Sequence, residues 1–248
     1  MTSVVLVSLA ALALAAFTTE GAIGFGGTVL AASIGAQLVP LVVLLPAFVP
    51  VNMVLSSYLL LRGVRVIAWR MLAAEIAPPV AVGAAVGLAL FHLPGQRWFA
   101  LVFGAFVVML AGFELARPGS DRPLGRVQRL VLLGLGGVAH GLFGTGGPMI
   151  VYVVRRRLAD KRAFRATLAV LWLVLNVALL ANFAGSGLYG PPVLDVGILV
   201  AATIVPGLVV GERIHRRLDA ARFERVVWIV LFAAGAALAL RSAWALAR

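Results

Sequence analysis

Apolar residues fall in ten blocks along the chain: 3–19, 26–38, 41–61, 68–91, 96–116, 127–141, 146–158, 163–184, 192–212 and 221–246. Most are long enough to cross a bilayer as helices, and strict alternation at period two, the mark of a transmembrane barrel, is absent. One hydrophilic break near the middle, "RPGSDRPLGR" (117–126), divides the pattern into halves. The first twenty residues lack a positive n-region and the apolar pattern runs on past them, so they read as the first helix rather than a cleaved signal.

Two breaks between blocks look alike. "EGAIGFGG" (Glu20 to Gly27) and "HGLFGTGG" (His140 to Gly147) superpose at an offset of 120, which lays Gly21, Gly24, Gly26 and Gly27 on Gly141, Gly144, Gly146 and Gly147. Further along the offset becomes 124. Asn52 then falls on Asn176, Gly83 on Gly207, Gly87 on Gly211 and Phe99 on Phe223, and an insertion near "RRRLADKR" accounts for the change. The chain reads as a duplication: a first repeat over 1–117, a cytoplasmic linker over 118–126 and a second repeat over 127–248.

Composition sharpens the class. Of 248 residues 62% are hydrophobic and 12% charged, with mean hydropathy +1.08, which is a membrane composition. The absence of cysteine excludes disulfides and thiolate metal sites. A net charge of +12 suggests nucleic acid at first, but its distribution argues for orientation in a membrane instead. The segments 62–70, 117–129, 155–165 and 212–225 hold 18 of the 21 basic residues and are placed in the cytoplasm, where anionic lipid is a secondary contact. The connections near 33–40, 92–97 and 185–192 hold only Arg97 and go outside. Each glycine motif then joins two segments that leave and return on one side, the first outside and the second inside. The expected architecture is an all-α polytopic membrane protein of two inverted-topology repeats. Each repeat is a broken or re-entrant helix pair plus three transmembrane helices, and both termini lie outside.

Inverted repeats with discontinuous helices are a transporter pattern, with the substrate near the midplane. Backbone released from a helix is tolerated at membrane depth only where it is buried in protein or lines a wet cavity. Glycine-rich turns that open a helix present N–H groups to an anion. The expected substrate contacts are therefore Gly24, Phe25, Gly26, Gly27 and Thr28 in the first motif, Gly144, Thr145, Gly146 and Gly147 in the second, and the paired amides Asn52 and Asn176. The competing reading gives the glycines to tight turns and close helix packing, and the asparagines to interhelical hydrogen bonds. Glu20 and His140 share one repeat position and are the proton-coupling candidates, because ionisable groups at membrane depth mark ion and proton paths. Ser56, Ser57 and Thr167 are weaker hydroxyl candidates.

Glu75, Glu114 and Glu212 read as interfacial partners of nearby arginines, and Trp69, Trp98, Trp228 and Trp244 as interfacial anchors. Pro40, Pro46 and Pro50 are expected to bend or interrupt the block 41–61. No HExxH, Walker A loop or clustered metal ligands occur, so no enzyme, metal or cofactor is expected.

"GAIGFGG", "GLFGTGGP", the duplicated layout and the chain length together resemble the TauE/SafE family of sulfite exporter-like permeases. The resemblance spans nearly the whole chain. It implies secondary transport of a small sulfur-containing anion, such as sulfite or an organosulfonate including sulfoacetate, across a bacterial cytoplasmic membrane. The substrate is expected between the two glycine breaks, exchanged by alternating access, with protons as the candidate coupling ion. The bilayer and the anion are the expected partners, nucleic acid is not, and a homodimer stays open. Two alternatives stand beside this reading. One is a lipid pyrophosphate phosphatase, poorly equipped with one carboxylate and no arginine in the motifs; the other is an anion channel.

Overall fold

The computed structural model describes residues 3–23, 26–92, 97–116, 124–145, 147–158, 160–217 and 220–247. Among them it is entirely helical. The helices are α1 (Ser3–Ile23), α2 (Gly27–Gly35), α3 (Leu41–Gly63), α4 (Trp69–Met71), α5 (Ala77–Phe91), α6 (Arg97–Ala116), α7 (Arg126–Phe143), α8 (Gly147–Arg155), α9 (Lys161–Gly185), α10 (Pro191–Arg217) and α11 (Ala220–Leu246). Among the described residues, seven stretches are long and apolar enough to cross a membrane: α1, α3, α4 with α5, α6, α9, α10 and α11. The ten apolar blocks thus become helices close to their expected places. Most of the expected linker, 118–123, lies outside the described residues.

Local chemistry explains several boundaries. Asp160 caps α9 by accepting the Ala163 N–H at 2.7 Å, and Gln128 accepts the Gly125 N–H at 3.1 Å at the start of α7. A π-helical turn at Leu72–Ile76 joins α4 to α5, followed directly by Pro78 and Pro79. Prolines have no N–H with which to continue the ladder, so the register resets there. Of the two expected effects of Pro46 and Pro50, a bend or an interruption, the interruption does not occur: α3 runs unbroken from Leu41 to Gly63. A membrane helix tolerates proline where neighbouring groups satisfy the freed carbonyls. Trp228 is buried on α11 with Val227 and Leu231, whereas Trp69 and Trp244 are exposed.

The helices gather into two compact units, and each draws on both halves of the sequence. Unit 1 contains α1, α2, the beginning of α3, α6, α10 and α11. Within it α1 packs along α10 and α6 along α11. Unit 2 contains α3 from Phe48 onward, α4, α5, α7, α8 and α9, with α5 packed along α7.

The α1/α10 and α5/α7 crossings are backbone-on-backbone contacts made by glycine. A Cβ on Gly211 would meet the Thr18 carbonyl, the Ala22 nitrogen and Gly21; one on Gly87 would meet the Val138 carbonyl, the Leu142 nitrogen and Gly141. These partners are related by the offset of 120, as Gly87 and Gly211 are by 124. Likewise Gly207 lies against Leu14 and Phe17, and Gly83 against the Gly134 carbonyl. So the same crossing occurs in each unit, formed each time by the first helix of the glycine hairpin of one sequence half and the fourth apolar block of the other. Helices in lipid associate through such close van der Waals packing, because lipid tails are as apolar as leucine.

Thr167 serves the fold. Its fully buried Oγ1 accepts the Ala68 N–H at 3.0 Å, ahead of α4. Thr167→Val keeps the shape but leaves that N–H without its partner, at a cost of about 1–3 kcal/mol. A lower unfolding midpoint with unchanged flux per folded molecule is expected. An unchanged midpoint would remove this bond from the account of stability.

Candidate functional site

Both glycine motifs end one helix and begin a short one. In unit 1 the chain leaves α1 and re-enters helix at Gly26, whose φ of 88° is left-handed backbone that glycine adopts without strain. In unit 2, α7 closes on Gly144, also left-handed at φ 62°, and the Gly144 N–H donates to the His140 carbonyl at 2.8 Å. The helices that follow, α2 and α8, each have nine residues. At 1.5 Å per residue that is roughly 13 Å, less than half of a hydrocarbon core about 30 Å thick. By length, neither crosses a bilayer alone. Their first-turn N–H groups have no intrahelical acceptor, and their peptide dipoles make those ends partly positive.

Unit 1 gathers Glu20, Gly26, Gly27 and Thr28. Gly27, the first residue of α2, is buried tightly against α1: a Cβ there would collide with the Ala16 carbonyl and lie 2.6 Å from Glu20 Oε2. The Glu20 carboxyl group therefore faces the N-terminal turn of α2. Its Oε2 is buried and accepts no hydrogen bond among the described residues. Thr28 is half-buried one position further on.

Unit 2 gathers the second set. Asn52 on α3, His140 on α7, Thr145 in the break and Asn176 on α9 are all buried. The His140 ring stacks on Trp172 with centroids 5.7 Å apart and planes 11° from parallel. Neither His140 Nε2 nor Asn176 Oδ1 has a hydrogen-bond partner among the described residues. Trp172 and Asn176 are one turn apart on α9 and so share a face. A buried polar atom without a partner costs free energy, so two on neighbouring helices, beside a helix break, point to a place for a polar guest. Gly24, Phe25 and Gly146 lie outside the described residues.

Sequence patterning did not single out Trp172. Its only signal was the spacing of four from Asn176. Of the acidic residues assigned to interfacial pairing, Glu75 forms one, with Arg157 at 2.9 Å. No group of three or more His, Cys, Asp or Glu that could hold a metal occurs among the described residues.

The chain is similar to known proteins over most of its length. The profile of the family described as "Sulfite exporter TauE/SafE" matches residues 9–238. A curated relative from Comamonas testosteroni, described as "Probable inner membrane transporter protein TsaS", is 33% identical over 216 residues, which cover 86% of this chain and 87% of the relative. No solved structure matches. With a family match across both glycine motifs and seven candidate spans, the chain belongs to the TauE/SafE sulfite exporter family and is a multi-pass membrane transporter, not an enzyme.

Proposed function

We propose that the protein is a secondary transporter of a small oxyanion, sulfite or an organosulfonate such as sulfoacetate, in a bacterial cytoplasmic membrane. The two sequence halves are inverted repeats and both termini face outward. Anion contacts come from backbone N–H groups at the helix starts that the glycine motifs open, α2 with Thr28 in unit 1 and α8 with Thr145, Asn52 and Asn176 in unit 2, each unit taken by itself. Glu20 or His140 carries the coupled proton.

One observation carries this reading: each glycine motif opens a nine-residue helix and begins, at the same repeat position, with an ionisable residue, Glu20 or His140. Sulfur oxyanions suit such ends, because several convergent N–H donors match their three oxygens without a formal counter-charge. The family name is consistent with sulfur chemistry. Flux into proteoliposomes is the test. Sulfite or sulfoacetate uptake is expected to saturate, to be competed by the unlabelled anion and to show counterflow. Non-saturating flux without counterflow would turn the assignment to a channel, and no flux of either anion would remove the substrate class.

A further inference from the structure

A cavity of about 500 Å³ opens within unit 2, where the N-terminal end of α7 meets the C-terminal end of α8. Its origin is local. The π-helical turn at Leu72–Ile76 and the two prolines after it break the regular surface from which α5 starts. Helix α7 packs past that irregularity and leaves space beside it. Single π-turns of this kind recur at functional sites.

The lining has two characters. Arg126, Arg129 and Arg157 bring three guanidinium groups, and Pro79, Leu130 and Leu133 bring an apolar wall. Glu75 is the lone acid in the lining and is already paired with Arg157 at 2.9 Å. Arg129 is steadied by donating to the Leu124 carbonyl at 3.1 Å. The site therefore retains a positive excess. The apolar wall continues outward along α7, where Val127, Leu130, Val131 and Leu135 are exposed at helical spacing. The cavity thus joins a basic rim to an exposed apolar helix face, which in a membrane transporter is suited to acyl chains.

We propose that this cavity binds an anionic phospholipid from the leaflet that the basic loops face. Its phosphodiester lies between Arg126, Arg129 and Arg157, and its acyl chains lie along Leu130 and the exposed face of α7. Arginine forks suit phosphate oxygens, and basic pockets between membrane helices select anionic head groups. A soluble phosphate meets the same charges but gains nothing from the apolar wall. The His140 end of the hairpin is eleven residues beyond Arg129 along α7, about 16 Å away, so the lipid braces the foot of the hairpin and not its tip.

The test uses the full-length protein in zwitterionic nanodiscs doped with phosphatidylglycerol, with lipid retention read by native mass spectrometry. Wild-type protein is expected to retain phosphatidylglycerol selectively. Arg126→Gln should lower its affinity about fivefold, and Arg126→Gln with Arg129→Gln about 25-fold, following the contribution of one basic residue near an anionic surface. Arg241→Gln, on α11 in the other unit, should leave retention unchanged. Inorganic phosphate at millimolar concentration should not displace the lipid. Equal retention by wild type and the exposed single variant Arg126→Gln, or full displacement by inorganic phosphate, overturns the proposal. The single variant keeps the test decisive if the double variant does not fold.

Discussion

Gly83→Ala and Gly211→Ala each abolish recovery of folded protein, while Gly134→Ala and Gly112→Ala are recovered at wild-type levels. This outcome is expected because one added methyl group meets very different surroundings at the four positions. At Gly83 it runs into the Gly134 carbonyl, and at Gly211 into the Thr18 carbonyl. Both obstacles are main chain, so no rotamer change relieves them. The helices must separate, and separation forfeits dispersion along the whole crossing, where lipid supplies no compensating hydrophobic force. Overpacking of ordinary side chains costs about 1–3 kcal/mol, and a main-chain collision belongs at or above the top of that range. At Gly134 the nearest atom to the added methyl is the Pro79 oxygen at 3.9 Å, and at Gly112 a Phe232 ring carbon at 3.5 Å, which are ordinary contacts. Alanine also favours helix over glycine by about 1 kcal/mol, so these controls hold or gain stability. Fluorescence-detected size exclusion of detergent extracts reads the result. Monodisperse Gly83→Ala and Gly211→Ala at wild-type yield would show that the crossings are looser than described. Gly87→Ala, at the position that matches Gly211, is expected to be equally sensitive, since its added methyl would meet the Val138 carbonyl as that of Gly211 meets the Thr18 carbonyl.

These glycines also show what the sequence reveals and what it withholds. Gly83 with Gly87, and Gly207 with Gly211, are each spaced by four, and that spacing marks a helix face able to accept a close neighbour. It carries no information about which neighbour. The offsets of 120 and 124 disclosed the internal likeness, yet not that each hairpin packs against a helix from the opposite half. Hydropathy placed the blocks well: 41–61 became α3 (Leu41–Gly63) and 163–184 became α9 (Lys161–Gly185). It did not reveal that α2 and α8 are only nine residues long, because apolar residues such as Leu38 continue beyond the helix end. Thr167 looked like a free hydroxyl because its acceptor role depends on Ala68, distant in sequence. Trp172 was silent for the same reason, since its partner His140 comes from another helix. Patterning thus discloses periodicity and internal likeness, while pairings between distant segments appear only when the chain is folded.

For coupling, the expectation is that Glu20→Gln keeps the protein folded, sustains exchange of a sulfonate and loses its response to a proton gradient. The geometry at α2 supplies the reason. Glu20 Oε2 faces Gly27, at the end of the helix where an incoming anion would find unpaired N–H groups. An ionised Glu20 is therefore a tethered anion at the tip and opposes a second one. A proton on Glu20 removes that charge and admits the substrate, so proton and anion are taken up together. Helix α2 has no titratable side chain of its own to take over the role. The sign follows: acid on the loading side speeds uptake in wild type, and alkali slows it. The amide of Glu20→Gln is neutral at every pH, so this variant should only equilibrate the anion where wild type accumulates it against a gradient. A sulfonate is the right probe because it stays anionic across the range, leaving the protein as the titrating partner. His140→Gln is the companion measurement at the matching repeat position. If Glu20→Gln keeps the wild-type pH response and His140→Gln loses it, coupling belongs to unit 2; if both keep it, the transported anion moves without a proton carried by either residue.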